Sequence, residues 1–301
     1  MKTGTDTPII VAKVGHWSDL AQLTKMRLAF SVVFSSFAGY LLAATSISWP
    51  ILVYLLIGGF ALVGASNAYN QIIETDLDTL MQRTRNRPLP SGRMSKMQAF
   101  WMATLFAVLG LYSLFLINSK TAFFGGLSLL IYVAVYTPLK TKTPLAVFVG
   151  AFPGAIPFML GWVAATGRFG IEPGILFMVQ FFWQFPHFWA IGWQLDTDYQ
   201  KAGFRMLPSG KPDRVTAFQI VFYTLWTLLI SLMPYTHYTG ALQLSGTGAL
   251  AILISGLGLL YFALRLMQQR TAAAARILTF ASIGYITLVQ LIYVFDKFLM
   301  Q

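Results

Sequence analysis

Asn70, Glu74 and Asp78 stand four residues apart at the end of a long apolar run. On a helix they fall at i, i+4 and i+8 and share one face, drifting by about 40° per step. Three oxygen-bearing side chains on one stripe make a ligand set for a hard cation such as Mg²⁺, which prefers oxygen and keeps waters or phosphate oxygens around it. Asp76 is two residues from both acids and points elsewhere, so a solvated or ion-paired role is expected for it. Only ten Asp and Glu occur in 301 residues, and three of them lie within these five positions, just ahead of Arg83, Arg85 and Arg87.

A second cluster runs from Trp183 to Tyr199. His187, Ile191, Gln194 and Asp198 share a helical face, and Pro186 is expected to kink the segment. Asp198 with Gln194 can supply oxygens opposite Glu74 and Asp78, which makes Asn70, Glu74, Asp78 and Asp198 the candidate metal set. Metal-bridged acids in a basic surround, at the mouth of an apolar bundle, suit an anionic diphosphate head with a long apolar tail. Lys25, Arg27, Arg83, Arg87, Lys140 and Lys142 are the candidate cations. Ionising an allylic diphosphate leaves a carbocation, which aromatic faces stabilise while water is excluded. Two other readings compete. Acids at the ends of spans are often merely solvated, but two aligned clusters on one side weigh against that. Intramembrane polar residues also serve ion transport, but the middles of the apolar segments carry almost no ionisable groups.

The elements that hold these clusters are membrane helices. The chain is 56% hydrophobic and only 10% charged, against about 25% charged in a soluble domain. Nine apolar segments approach the ~20 residues that a span needs: roughly 28–45, 50–71, 97–117, 121–137, 144–165, 172–194, 216–235, 245–264 and 277–296. They are long and continuous and lack the alternation of strands, so the expected fold is an all-α, polytopic bundle of nine transmembrane helices. The N-terminal arm and the connections after even-numbered spans hold 18 of the 21 Lys and Arg. That bias predicts a cytoplasmic N-terminus and an external C-terminus. It gives a cytoplasmic arm at 1–27, one transmembrane domain at 28–301, and cytoplasmic catalytic loops at about 72–96, 138–143 and 195–215. Both acidic clusters fall on that side. The net charge of +11 is assigned to loops facing anionic lipid, not to nucleic acid. With no cysteine, thiol catalysis, thiolate metal sites and disulfides are excluded.

The first motif resembles that of the UbiA-type intramembrane prenyltransferases. Arg83-Thr-Arg-Asn-Arg-Pro-Leu89, Leu23-Thr-Lys-Met-Arg27, Tyr136-Thr-Pro-Leu-Lys140, Gly154-Ala-Ile-Pro157 with Gly161-Trp162, Trp183-Gln-Phe-Pro-His-Phe188, Asp198-Tyr199, Ala202-Gly203 and Met206-Leu-Pro208 are similar to the branch that farnesylates haem b. The resemblance implies Mg²⁺-assisted transfer of the farnesyl group of farnesyl diphosphate to a vinyl group of haem b, with addition of water, giving haem O. It implies diphosphate and metal roles for Asn70, Glu74, Asp78 and Asp198, and head-group contacts for Lys25, Arg27, Arg83, Arg87 and Lys140. Gln194 and Tyr199 join His187 on the substrate side. His187 is read either as a haem contact or iron ligand, or as a hydrogen-bonded residue steadying the kinked span. Glu74 stands where the wider family usually has Asp, and Gln194 where its second motif has an acid. A prenyltransferase with an aromatic acceptor and a membrane haem carrier are the alternatives. The implied setting is a bacterial inner membrane, with a haem A synthase or terminal-oxidase assembly factors downstream.

Overall fold

The computed structural model of the chain describes residues 16–300; residues 1–15 of the expected arm, with Lys2 and Lys13, lie outside the described residues. A short α1 (His16–Leu23) leads into α2 (Met26–Ala43) and α3 (Trp49–Ile73). The six-residue α4 (Thr75–Leu80) follows α3 directly, and a loop then reaches α5 (Lys96–Ile117). Next come α6 (Ser119–Leu130), a π-helical turn at Ile131–Tyr136, and α7 (Thr137–Leu139). The chain continues through α8 (Leu145–Thr166), α9 (Ile171–Gln194), α10 (Asp196–Lys201) and α11 (Arg214–Ser231), then α12 (Gly246–Gln269) and α13 (Ala272–Met300). No strand occurs among the described residues.

Local chemistry sets the boundaries. Ser95 and Gln98 form a reciprocal capping box at the start of α5, and Asn118, Asp213 and Ser245 cap α6, α11 and α12 by accepting from the backbone three residues on. Each satisfies a donor that the first helical turn leaves orphaned. Gly167 ends α8 at φ 65, a left-handed conformation that suits a residue without Cβ. The π turn precedes Pro138, which has no N–H and whose ring collides with the carbonyl four residues back, so the helix widens before it.

Among the described residues, eight segments are long and apolar enough to cross a membrane: α2, α3, α5, Ser119–Leu139, α8, α11, α12 and α13. The ninth expected span, α9, has 24 residues, or ~36 Å of helix. Gln180, Gln184, His187 and Gln194 interrupt its apolar run. It is nevertheless packed inside the bundle, against α8, α11 and α13. The polytopic all-α expectation therefore holds, with α9 distinguished as the polar member.

One ring of contacts links α2, α3, α5, α6 and α8, another links α9, α11, α12 and α13, and α8–α9 and α2–α13 join the two. Of the eight apolar spans, α8 is the most buried. A Cβ on Gly39 of α2 would collide with the Phe158 carbonyl of α8, and one on Gly161 with the Ser36 carbonyl. Small residues let these two backbones touch, the usual route to tight packing where lipid removes the hydrophobic drive between helices. Pro157 leaves the Pro153 carbonyl without its helical donor, and Ser128 of α6 donates to it instead at 3.2 Å. Pro186 does not break α9, which runs on as one helix.

Candidate active site

Asn70 and Glu74 lie at the end of α3, and Asp78 follows on α4. The dihedrals turn at Glu74 (φ −92, ψ 8), yet the spacing survives. Glu74 N–H donates to the Asn70 carbonyl at 2.9 Å, and Asp78 N–H to the Glu74 carbonyl at 2.8 Å. An unbroken i, i+4 chain thus carries all three side chains to one cavity of about 50 Å³, lined also by Lys25, Met81, Arg83, Arg87, Tyr136, Lys140, Tyr199, Phe204 and Met206.

The acids are buried, Asp78 fully and Glu74 to 4% exposure. Arg87 Nη1 meets Asp78 Oδ2 at 2.7 Å, and Lys140 Nζ lies 2.8 Å from Glu74 Oε1. The Lys140 contact is off the line of a hydrogen bond, so Glu74 Oε1 counts with Asp78 Oδ1 as a buried oxygen that receives no proton among the described residues. Asn70 offers a third. The Thr137 hydroxyl gives its proton to the Tyr132 carbonyl at 2.9 Å, so in its 3.1 Å contact with Asn70 Nδ2 it accepts. That fixes the amide and leaves its carbonyl oxygen toward the cavity. The two buried carboxylate oxygens left without a donor cost free energy in a protein interior, and with the Asn70 oxygen they fit a hard cation that completes its shell with phosphate oxygens. Only two of the three are carboxylates, and no group of three His, Asp or Glu suited to a metal occurs among the described residues.

The cations arrive from separate elements. Lys25 sits between α1 and α2 at φ 49, an unfavourable left-handed conformation for a residue with a Cβ. Two buried amides of α3 hold it there: Asn67 donates to the Thr24 carbonyl, and Gln71 to the Gln22 and Leu23 carbonyls. Burial, then the charges of Arg87 and Lys140, lower the Lys25 ammonium to about 7. Lys140 lies beneath the Tyr136 ring, 4.7 Å from its centroid, with Phe204 at 5.7 Å. Arg205 N–H donates to the Lys140 carbonyl at 2.7 Å, tying the loop after α10 to α7. Gly150 of α8 seats Tyr136, since a Cβ there would press into the ring. Four cations against two carboxylates leave the cavity with surplus positive charge.

The second cluster is placed differently. Asp198 does not line the cavity. Its carboxylate accepts from Gln82 N–H at 3.0 Å and Arg83 N–H at 3.2 Å, and pairs with Lys201 at 3.3 Å. Partial desolvation opposes its ionisation, but these donors win and hold its pKa below the usual carboxylate range. Gln194 donates to Thr279 Oγ1 at 2.6 Å. The expectation that these two face Glu74 and Asp78 is not met, because α9 ends at Gln194 and the Asp198 N–H bonds Leu195, not Gln194. Tyr199, from the same short helix, does reach the cavity. Asp196 accepts from Gln200, and desolvation raises its pKa.

His187 is buried outside the cavity, with Nδ1 2.8 Å from Ser282 Oγ and its ring stacked on Trp183. Arg27 and Lys142 are exposed and do not line the cavity. Asp76 is exposed and pairs with Lys96 at 3.3 Å, off the face as expected. Met81 and Phe204 line the site unmarked by the sequence, and Tyr136 and Met206 stand there only within motifs that carry the resemblance, with no site role given. Tyr136 had a signal, since it precedes Lys140 by one helical turn and is placed to meet it. Phe204 had none, because its position depends on the turn at Gly203 (φ 71).

The UbiA prenyltransferase family profile matches residues 32–284. A protein from Christiangramia forsetii named protoheme IX farnesyltransferase is 63% identical over 284 residues, 94% of this chain and 95% of that relative. One of the same name from Flavobacterium johnsoniae is 55% identical, covering 93% of this chain and 95% of the relative. Among solved structures, a digeranylgeranylglyceryl phosphate synthase shares the fold with a TM-score of 0.77 at 17% identity, over 93% of this chain and 98% of its own. A UbiA homologue from Archaeoglobus fulgidus bound to DMAPP and Mg²⁺ has a TM-score of 0.70 at 14% identity, over 90% and 99%.

Proposed function

The chain belongs to the UbiA prenyltransferase family, and from that premise we propose that it transfers the farnesyl group of farnesyl diphosphate to a vinyl group of haem b, forming haem O. The carrying observation is the likeness along nearly the whole chain to relatives named protoheme IX farnesyltransferase. The cavity supports it, because buried carboxylates with uncommitted oxygens face four cations there.

On this reading Asn70, Glu74 and Asp78 hold Mg²⁺, which when bound neutralises charge on the leaving diphosphate. Lys25, Arg83, Arg87 and Lys140 bind the diphosphate oxygens. Charge-assisted contacts of this sort strengthen as charge develops on the departing group. The allylic C–O bond breaks and its electron pair leaves with the diphosphate. Tyr136 and Phe204 line the cavity and offer aromatic faces to the resulting cation. The π electrons of the haem vinyl group form the new C–C bond. Water then adds to the second cation and loses a proton. Asp198 serves this site by holding the Gln82–Arg83 backbone.

The chain is a multi-pass membrane protein with one catalytic domain at 28–301. The positive-inside bias supports a cytoplasmic N-terminus and cavity and an external C-terminus, and the sources of the named relatives support residence in a bacterial inner membrane. The test is mass spectrometry of products from purified protein with Mg²⁺, farnesyl diphosphate and haem b. Haem O with release of diphosphate is expected. Farnesylation of a quinone precursor instead would move the acceptor class, and haem binding without diphosphate release would sink the transferase reading.

A further inference from the structure

His187 and Trp183 stand one turn apart on α9, and both are held by one residue of α13. Trp183 Nε1 donates to the Ser282 carbonyl at 2.6 Å, and the Trp183 and His187 rings stack with centroids 4.7 Å apart and planes 17° from parallel. Ser282 Oγ lies 2.8 Å from His187 Nδ1 and 2.7 Å from the Thr279 carbonyl oxygen. Two oxygens so close need a proton between them, and the Ser282 hydroxyl has the only one. That hydroxyl therefore donates to Thr279 and accepts from His187. A neutral imidazole so arranged carries its proton on Nδ1 and keeps a lone pair on Nε2. No salt bridge reaches His187 among the described residues. Nε2 makes no hydrogen bond there either, and it is not among the polar atoms sealed away without a partner. It opens onto accessible space.

A structural histidine commits both ring nitrogens, whereas His187, whose ring also meets the Thr279 backbone, leaves one uncommitted. Here one nitrogen is fixed by a serine that is itself fixed, the ring plane is set by an indole anchored to that same serine, and the second nitrogen is left available. Metal-ligating histidines are oriented in this manner, by a hydrogen bond from the other ring N–H to a neighbouring acceptor. We propose that Ser282 is a positioning residue for the acceptor: it locks His187 in the Nδ1–H form and directs Nε2 to the iron of haem b. The proposal rests on the haem b reading above. It gives α9, the polar member of the bundle, a task that the diphosphate cavity does not use.

The test reads haem rather than turnover. Ferric haem b is titrated into the purified full-length protein in detergent without farnesyl diphosphate, and the visible spectrum is recorded. The wild type is expected to show a histidine-ligated spectrum. His187→Ala loses it and regains it when imidazole is added. Ser282→Ala weakens haem binding by about 10-fold, the lower end for loss of such an orienting partner, and Ser282→Thr, which keeps the hydroxyl, restores it. Where an alanine variant fails to fold, Ser282→Cys carries the same expectation, and His187→Gln, which fills the vacated space, is expected to lose the spectrum without rescue by imidazole. A wild-type spectrum in the His187 variants, or wild-type haem affinity in Ser282→Ala and Ser282→Cys, overturns the proposal. Haem O made by a wild type with no histidine signature overturns it alone; a histidine-ligated spectrum without haem O formation overturns only the transferase reading.

Discussion

Helices α3 and α9 end alike and then diverge. Each stops in the same backbone region, at Glu74 (φ −92, ψ 8) and Leu195 (φ −104, ψ 12), and each gives way to a six-residue helix with two acids in its first turn. After α3 the hydrogen bonds step by four from Asn70 through Glu74 to Asp78, and the acids turn inward. After α9 the same step of four runs from Leu195 to Tyr199, which reaches the cavity, while Asp198 stands one residue earlier and its carboxylate meets the backbone of the neighbouring loop. A one-residue offset of the acid against the same hydrogen-bond step thus separates acids whose oxygens stay uncommitted from an acid whose oxygens are satisfied. Chemistry is assigned here by what burial leaves unpaired, not by the presence of acidic residues.

Substitutions at Glu74, Asp78, Lys140, Asp198 and Asp76 test that contrast, in falling order of effect. Glu74→Ala or Asp78→Ala should lower haem O formation by about 10²–10³-fold, the scale for removing a principal electrostatic contact of the transition state; near-normal yield would end the metal assignment. Lys140→Met leaves Glu74 buried without its cation, which should cost about 3–5 kcal/mol and appear as a lower Tm in detergent. Adding Glu74→Gln to that variant should recover most of the Tm and none of the activity. Asp198→Ala frees the Gln82 and Arg83 amides and should raise KM for farnesyl diphosphate by about tenfold while kcat changes little, at roughly 1.4 kcal/mol per decade. A kcat loss as deep as that of Asp78→Ala would instead put Asp198 on the metal. Asp76→Asn removes an exposed pair of the kind worth little, and turnover within about twofold of wild type is expected; a larger loss would return Asp76 to the site.

Much of this was legible because it is local. Apolar runs of the length of a bilayer gave the helices, and a spacing of four gave the Asn70–Glu74–Asp78 face even across a break. Asp76 was excluded from that face by the same arithmetic. What sequence could not supply was the partner of each polar group. Nothing near Asp198 announces that two amides more than a hundred residues away will bind it, and nothing near Gln194 announces Thr279. The bare Gly150 surface that seats Tyr136 likewise emerges only when α8 packs against the preceding span.

The bond from Asp198 to the Gln82 amide spans 116 residues of chain. Synthesis proceeds at about 5–20 residues per second, so the basic loop waits several seconds after leaving the ribosome before its anchor exists. Through that interval the first acidic face is already in or near the bilayer, while the helix that completes its surroundings has yet to be made. The order of translation therefore makes assembly of the catalytic end a late event, reached only when the second half of the bundle closes on the first.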